Sequence, residues 1–152
     1  MSPRLNHFQY APKAMALLIE QESYLQQQFS SEPLSAALLD LIKLRVSQIN
    51  QCAFCIDMHW SEAIKRGENT ERLYGLSAWR DMPFYSSLER VVLEWAEHLT
   101  AGHSVSDALY DRVVTALGEE GIVNTTIAVN AINSWNRVSK AFKPEIGSLT
   151  SE

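Results

Sequence analysis

The stretch LSAALLDLIKLRVSQINQCAFCIDMHWSEAIKRG, residues 34–67, decides the fold class. In its first half Leu38, Leu41, Ile42 and Arg45 fall on successive turns of a helix, and no strand-like alternation runs through it. Pro33 stands just before it, where an incoming helix must stop. The pattern predicts a helix over about 34–47, apolar around much of its circumference and therefore central. The second half predicts another helix, over about 51–66. Asn50 offers a side-chain cap at its start, and Arg66 followed by Gly67 gives a cation in the last turn and then a stop.

The same reading extends in both directions. Toward the N-terminus, Ala14, Leu17, Leu18, Tyr24, Leu25 and Phe29 predict an amphipathic helix over 12–29, broken by Ser30, Ser31, Glu32 and Pro33. Toward the C-terminus, Asn69 or Thr70 caps a short helix to about Ala78, and the chain is irregular over 79–84 around Pro83. Ser86 and Ser87 open a longer helix to about Thr100, with Gly102 as its stop. Ser106 and Asp107 open one to about Leu117, stopped by Gly118. Ile122, Thr126, Val129, Ile132, Trp135 and Val138 mark a last helix over about 119–141, and Pro144 ends the pattern. There is no internal repeat, low-complexity tract or linker. The expectation is one all-α domain of about seven helices, with a core over about 11–143 and short polar tails.

Composition narrows the function. A chain of 152 residues holds about one domain and can bury a real core without cross-links. Hydrophobic residues at 46% and charged residues at 20% exclude a disordered chain, and six Gly with five Pro disfavour a β-protein built on many turns. A net charge of −5 with no Lys/Arg cluster argues against a nucleic-acid partner. No apolar run approaches the ~20 residues of a membrane helix. Met1 to Tyr10 lacks the apolar region of a secretory signal, so none is expected. Two cysteines only three residues apart close almost no loop, so they are read as chemical rather than structural, in a reducing compartment, the cytoplasm.

That pair sits in Asn50-Gln51-Cys52-Ala53-Phe54-Cys55-Ile56-Asp57-Met58-His59. At 100° per residue, Cys52, Cys55 and His59 fall within roughly 60° of one another. One helical face thus presents thiol, thiol and imidazole. A first-turn position for Cys52 favours its thiolate through the helix dipole, whereas His59, one turn from Cys55, can take that thiol's proton. Two thiols at this spacing can close a redox disulfide. Three other readings stand beside this one. Haem attachment fails because Ile56, not His, follows the second Cys. Zinc could use Cys52, Cys55 and His59, but needs a fourth ligand such as His7, His98 or His103, none in a recognisable pairing. Two buried core cysteines are the plainest reading, and leave the His59 register unexplained.

Residues 41–59, with the supporting stretches 76–80 and 130–137, resemble the AhpD-like alkylhydroperoxidase branch of the carboxymuconolactone decarboxylase superfamily. The resemblance implies an all-helical fold and a peroxidase cycle without a cofactor. Cys52 and Cys55 reduce a hydroperoxide, become a disulfide, and are re-reduced by an external thiol system, a lipoylated or thioredoxin-like protein. The disulfide form also passes electrons to a peroxiredoxin in well-known members. Members assemble as trimers or hexamers. His59 matches the motif histidine. The family's proton-relay Glu, twelve residues before the first Cys, is here Asp40, one methylene shorter. Phe54 stands where some members carry His, making the pocket more apolar, and Gln51 stands where Gly is usual.

On this reading the catalytic set is Cys52, Cys55, His59 and Asp40. Cys55 attacks the hydroperoxide, Cys52 condenses with the resulting sulfenate, His59 moves the proton, and Asp40 orients His59 or relays protons. Trp135, Asn136 and Arg137 are weaker candidates for the pocket wall. Arg45, on an otherwise apolar helix, is expected to pair with Asp40, Glu94 or Glu97. The competing function is non-redox: a zinc-stabilised interaction module, or an enzyme like the decarboxylase branch, which does not depend on a Cys pair.

Overall fold

The computed structural model describes residues 3–149, and every element among them is helical. Seven α-helices follow in order: α1 (His7–Tyr10), α2 (Pro12–Gln28), α3 (Ala36–Ile49), α4 (Ala53–Lys65), α5 (Thr70–Tyr74), α6 (Ser87–Ala101) and α7 (Asp107–Phe142). A 3-10 turn, Gly75–Ala78, continues α5. The capping signals explain most of the boundaries. Ser35, Asn69 and Ser106 each accept a backbone N–H of the first turn, and Ser86 with Glu89 forms a reciprocal capping box. Gly102 ends α6 at φ 75°, the left-handed conformation that glycine adopts without a Cβ penalty.

Helix α3 is the centre of the molecule. It packs against α4, α6 and α7, and nine of its residues are buried, Asp40 and Lys43 among them. Leu38, Leu39, Ile42 and Val46 face one core cluster with Val92, Trp95, Val129 and Ile132. Leu41 and Leu44 face a second with Leu73, Leu76, Trp79 and Leu93. Arg45 pairs with Glu97 of α6, one of its three expected partners.

The helices differ from the sequence expectation at two places. The short α1 is unforeseen, since four residues carry no periodicity. The predicted helices 107–117 and 119–141 are both present within α7, separated at Gly118 as expected, where φ 77° and ψ 171° are non-helical. The second difference is in which face of α2 turns inward. Helix α2 was expected to use Leu17 and Tyr24 on its apolar face, yet Leu17 is 66% and Tyr24 42% exposed. Its inward stripe is instead Met15, Leu18, Glu22, Leu25 and Phe29, the three- and four-residue spacing of one helical face. No helix among the described residues is long and apolar enough to cross a membrane.

Candidate active site

Helix α4 begins two residues later than predicted, and the reason lies in tertiary contacts. Asn50 does not cap it. The Asn50 side chain donates to the side-chain carbonyls of Asn133 (2.9 Å) and Asn136 (3.0 Å) on α7. Gln51 then takes φ 54°, turning the chain in the left-handed region where the family resemblance has Gly. Cys52 is the N-cap, and its Sγ accepts the backbone N–H of Cys55 at 3.4 Å. The helix-dipole argument for Cys52 therefore holds at the cap rather than inside the first turn.

Cys52 and Cys55 form a disulfide across this cap, and each is 1% exposed. His59 is one turn further along α4 and 4% exposed. Its Nδ1 lies 3.0 Å from Glu62 Oε2. That hydrogen bond, against the opposing effect of burial, holds the Glu62 carboxyl below its ordinary range.

Asp40 is buried at 2% exposure and does not hydrogen-bond His59. Its Oδ1 accepts from Arg66 at 2.7 Å, and its Oδ2 has no hydrogen-bond partner. Burial pushes its pKa up, with the Arg66 guanidinium pulling the other way. Beside it Lys43 pairs with Glu22 of α2 at 2.5 Å. Cys52 thus caps the helix that carries Cys55 and His59, and Asp40 pairs with Arg66.

Two cavities meet at Phe54, which lines both. One, of about 310 Å³, is walled by Cys52, Gln51, Ala53 and the C-terminal residues Ser139, Lys140, Lys143, Pro144 and Ile146. The other, of about 370 Å³, opens on His59 and Glu62 between Met58, Ile19, Phe8 and Trp135, with Glu22 and Lys43 in its wall. Trp135 therefore belongs to the pocket wall. Asn136 is buried and structural, donating to Ser47 Oγ, and Arg137 bonds the Asn133 carbonyl of its own helix. The fourth-ligand candidates for zinc are scattered. His7 stacks on Phe142, while His98 and His103 meet each other at 5.4 Å. Among the described residues no three His, Cys, Asp or Glu side chains form a group that could hold a metal ion.

Glu62, Glu22, Lys43 and Arg66 are site residues that the sequence reading missed. Glu62 has a legible signal, since i and i+3 share a helix face. Glu22 has a fainter one, a charge inside an apolar stripe.

The chain is thus an all-helical domain with a Cys52–Cys55 disulfide at the start of α4 and His59 one turn beyond Cys55. The profile of the Carboxymuconolactone decarboxylase family matches residues 15–98, and the chain belongs to that family, in its AhpD-like branch. It is 44% identical over 143 residues to the uncharacterized protein YdfG of Bacillus subtilis (strain 168), covering 93% of this chain and 95% of that protein. Among solved structures it is similar to ATU0492 from Agrobacterium tumefaciens, a protein of unknown function proposed to be the antioxidant defence protein AhpD. The TM-score is 0.86, with 34% identity over 95% of this chain and 97% of that one. An uncharacterized peroxidase-related protein from Silicibacter sp. TM1040 shares the fold, with a TM-score of 0.77 and 20% identity over 88% of this chain and 70% of that one.

Proposed function

We propose that the protein is a cytoplasmic thiol peroxidase that reduces hydroperoxides through Cys52 and Cys55, with His59 as the proton carrier. The observation that carries this reading is the Cys52–Cys55 disulfide at the cap of α4, one turn from a buried imidazole. In the reduced protein His59 takes the Cys55 thiol proton. The Cys55 thiolate attacks the distal oxygen of ROOH, so an S–O bond forms as the O–O bond breaks. The leaving alkoxide takes a proton from His59 and departs as ROH. Cys52 then attacks the sulfenic sulfur; the S–S bond forms, the S–O bond breaks, and water leaves. Two thiols are oxidised for each hydroperoxide reduced.

Re-reduction needs two electrons from an external dithiol, a lipoylated or thioredoxin-like protein, and the disulfide can exchange with a peroxiredoxin. Cys52 supports the approach of that dithiol, because it lines a cavity while Cys55 does not line either of the two described above. Attack on Cys52 sulfur releases the Cys55 thiolate beside His59, ready for another cycle. The resemblance further points to a homo-trimer or hexamer.

The test is to treat the reduced, metal-free protein with a series of organic hydroperoxides, hydrogen peroxide and hypochlorite, following free thiols and intact mass. Two thiols should disappear together as one disulfide. Cys52→Ser should trap a sulfenate on Cys55, and Cys55→Ser should trap none. Alkylatable thiols that survive every oxidant would overturn the peroxidase reading, and a sulfenate trapped only in Cys55→Ser would reverse the order of the two cysteines.

A further inference from the structure

Two carboxylates are candidates for steadying the His59 ring, and they have different neighbours. Glu62 Oε2 is 3.0 Å from His59 Nδ1. Asp40 Oδ1 is 2.7 Å from an Arg66 guanidinium nitrogen. We propose that Glu62 is the positioning residue of His59, holding the Nδ1–H so that Nε2 presents its lone pair to the thiol, while Asp40 acts one layer behind by fixing Arg66. The proposal rests on the thiol-peroxidase reading for its chemistry and on the hydrogen bond for its geometry.

An imidazole base works only when its tautomer is fixed, and the partner of one ring nitrogen fixes it. Glu62 is suited to that part. It follows His59 by three residues on α4, so one helix sets the distance between the two groups. Its side chain is 42% exposed, so hydration keeps it ionised, and its bond to His59 lowers its pKa further. Asp40 lacks these properties. Its side chain is only 3% exposed, and Arg66 occupies the oxygen that makes a hydrogen bond.

The remaining charged or titratable groups around the His59 cavity are few. Glu22 from α2 and Lys43 from α3 neutralise each other in an ion pair, and His7 comes from α1. Helix α7 contributes Trp135 and Ser139, neither charged. Glu62 is therefore the anion that the ring meets directly. In the cycle the Nδ1–H stays on Glu62's side throughout. Nε2 alone accepts the Cys55 proton and returns it to the alkoxide, so the proton count of the reaction is unchanged.

The test uses the full-length reduced protein with nitrogen-15 in its histidines, titrated by NMR, beside E62A, E62Q and D40N. The wild-type His59 should show protonated Nδ1 and bare Nε2 when neutral. The His59 Nδ1–H proton should resonate far downfield in the wild type, less so in E62Q, whose acceptor is neutral, and should lose that position in E62A. E62Q, which can still accept Nδ1–H, should keep the tautomer; E62A should lose it and slow hydroperoxide-driven thiol loss by about 10–100-fold. D40N should move neither the tautomer nor the Nδ1–H signal. A His59 signal unmoved in both Glu62 variants, or shifted by D40N instead, would overturn the proposal. Should the wild-type protein consume no hydroperoxide, the peroxidase reading falls, and the NMR comparison still decides the place of Glu62. E62Q keeps the side chain's shape and serves should E62A not fold.

Discussion

Gln51 is the residue that makes the cap of α4 possible. It holds φ at 54°, between the end of α3 and Cys52. For a residue with a Cβ that conformation costs about 1–2 kcal/mol. Glycine avoids the clash but loses more chain entropy on folding, about 0.5–1 kcal/mol relative to alanine. Gln51→Gly is therefore expected to raise the unfolding free energy by about 0.5 kcal/mol, read from urea denaturation at constant m-value. A loss of stability would show that the Gln51 side chain, which lines the cavity beside Cys52, contributes more than its backbone costs. The candidate site is legible in the sequence at this scale because Cys52, Cys55 and His59 lie on one helix and its cap and obey one period. Glu62 obeys the same period. Glu22–Lys43 and Asp40–Arg66 lie outside that arithmetic, since their members are 21 and 26 residues apart and meet only through packing between elements. The resemblance gives Asp40 as a relay group, and the structure pairs it with Arg66.

Among the elements, one carboxylate of α6 gathers donors from α3 and from the segment after α5. Glu97 accepts from Arg45 of α3 at 2.8 Å, from Trp79 Nε1 at 2.8 Å and from Arg80 at 2.6 Å. Burial alone raises its pKa, but the three donors together outweigh burial and leave the carboxyl below its ordinary value of 4.5. A folded pKa below the unfolded one means that the ionised form favours the native state. The stabilisation is complete above the unfolded carboxylate's value and is lost as pH falls through the lower folded one. Glu97→Gln should thus cost about 2–4 kcal/mol at neutral pH, because it leaves Arg45 half-buried without its counter-charge. The same variant should flatten the acid limb of stability against pH. Equal losses at pH 7 and at a pH below the folded pKa would contradict this account. The helix ends at Asn69, Ser86, Gly102 and Ser106 are legible because their capping signals are local. The start of α4 is not, because Asn50 satisfies its amide on α7, more than eighty residues away along the chain.

For the whole molecule, the question raised by two cysteines in 152 residues is whether their bond holds the fold or serves its chemistry. Both cysteines are buried, but neither belongs to the two apolar clusters of the core. Two apolar clusters wrap α3, joining α2, α6 and α7 on one side and the α5 region on the other. The Cys52–Cys55 bond joins residues three apart and spans only the cap of α4. Closing so short a loop removes little freedom from the unfolded chain, no more than about 2 kcal/mol on the chain-entropy scale. Its reduction also leaves two small apolar groups in place, which pack as well as the disulfide did. The oxidised and reduced proteins should therefore unfold cooperatively in urea with equal m-values, and with free energies differing by no more than about 2 kcal/mol. The comparison requires a non-thiol phosphine reductant and a circular-dichroism readout of helix content. Retention of the fold is what a cycling redox pair requires, since the protein must survive each passage through the dithiol state. Collapse of the transition on reduction would instead make the bond a structural clamp and remove the physical basis for a catalytic cycle.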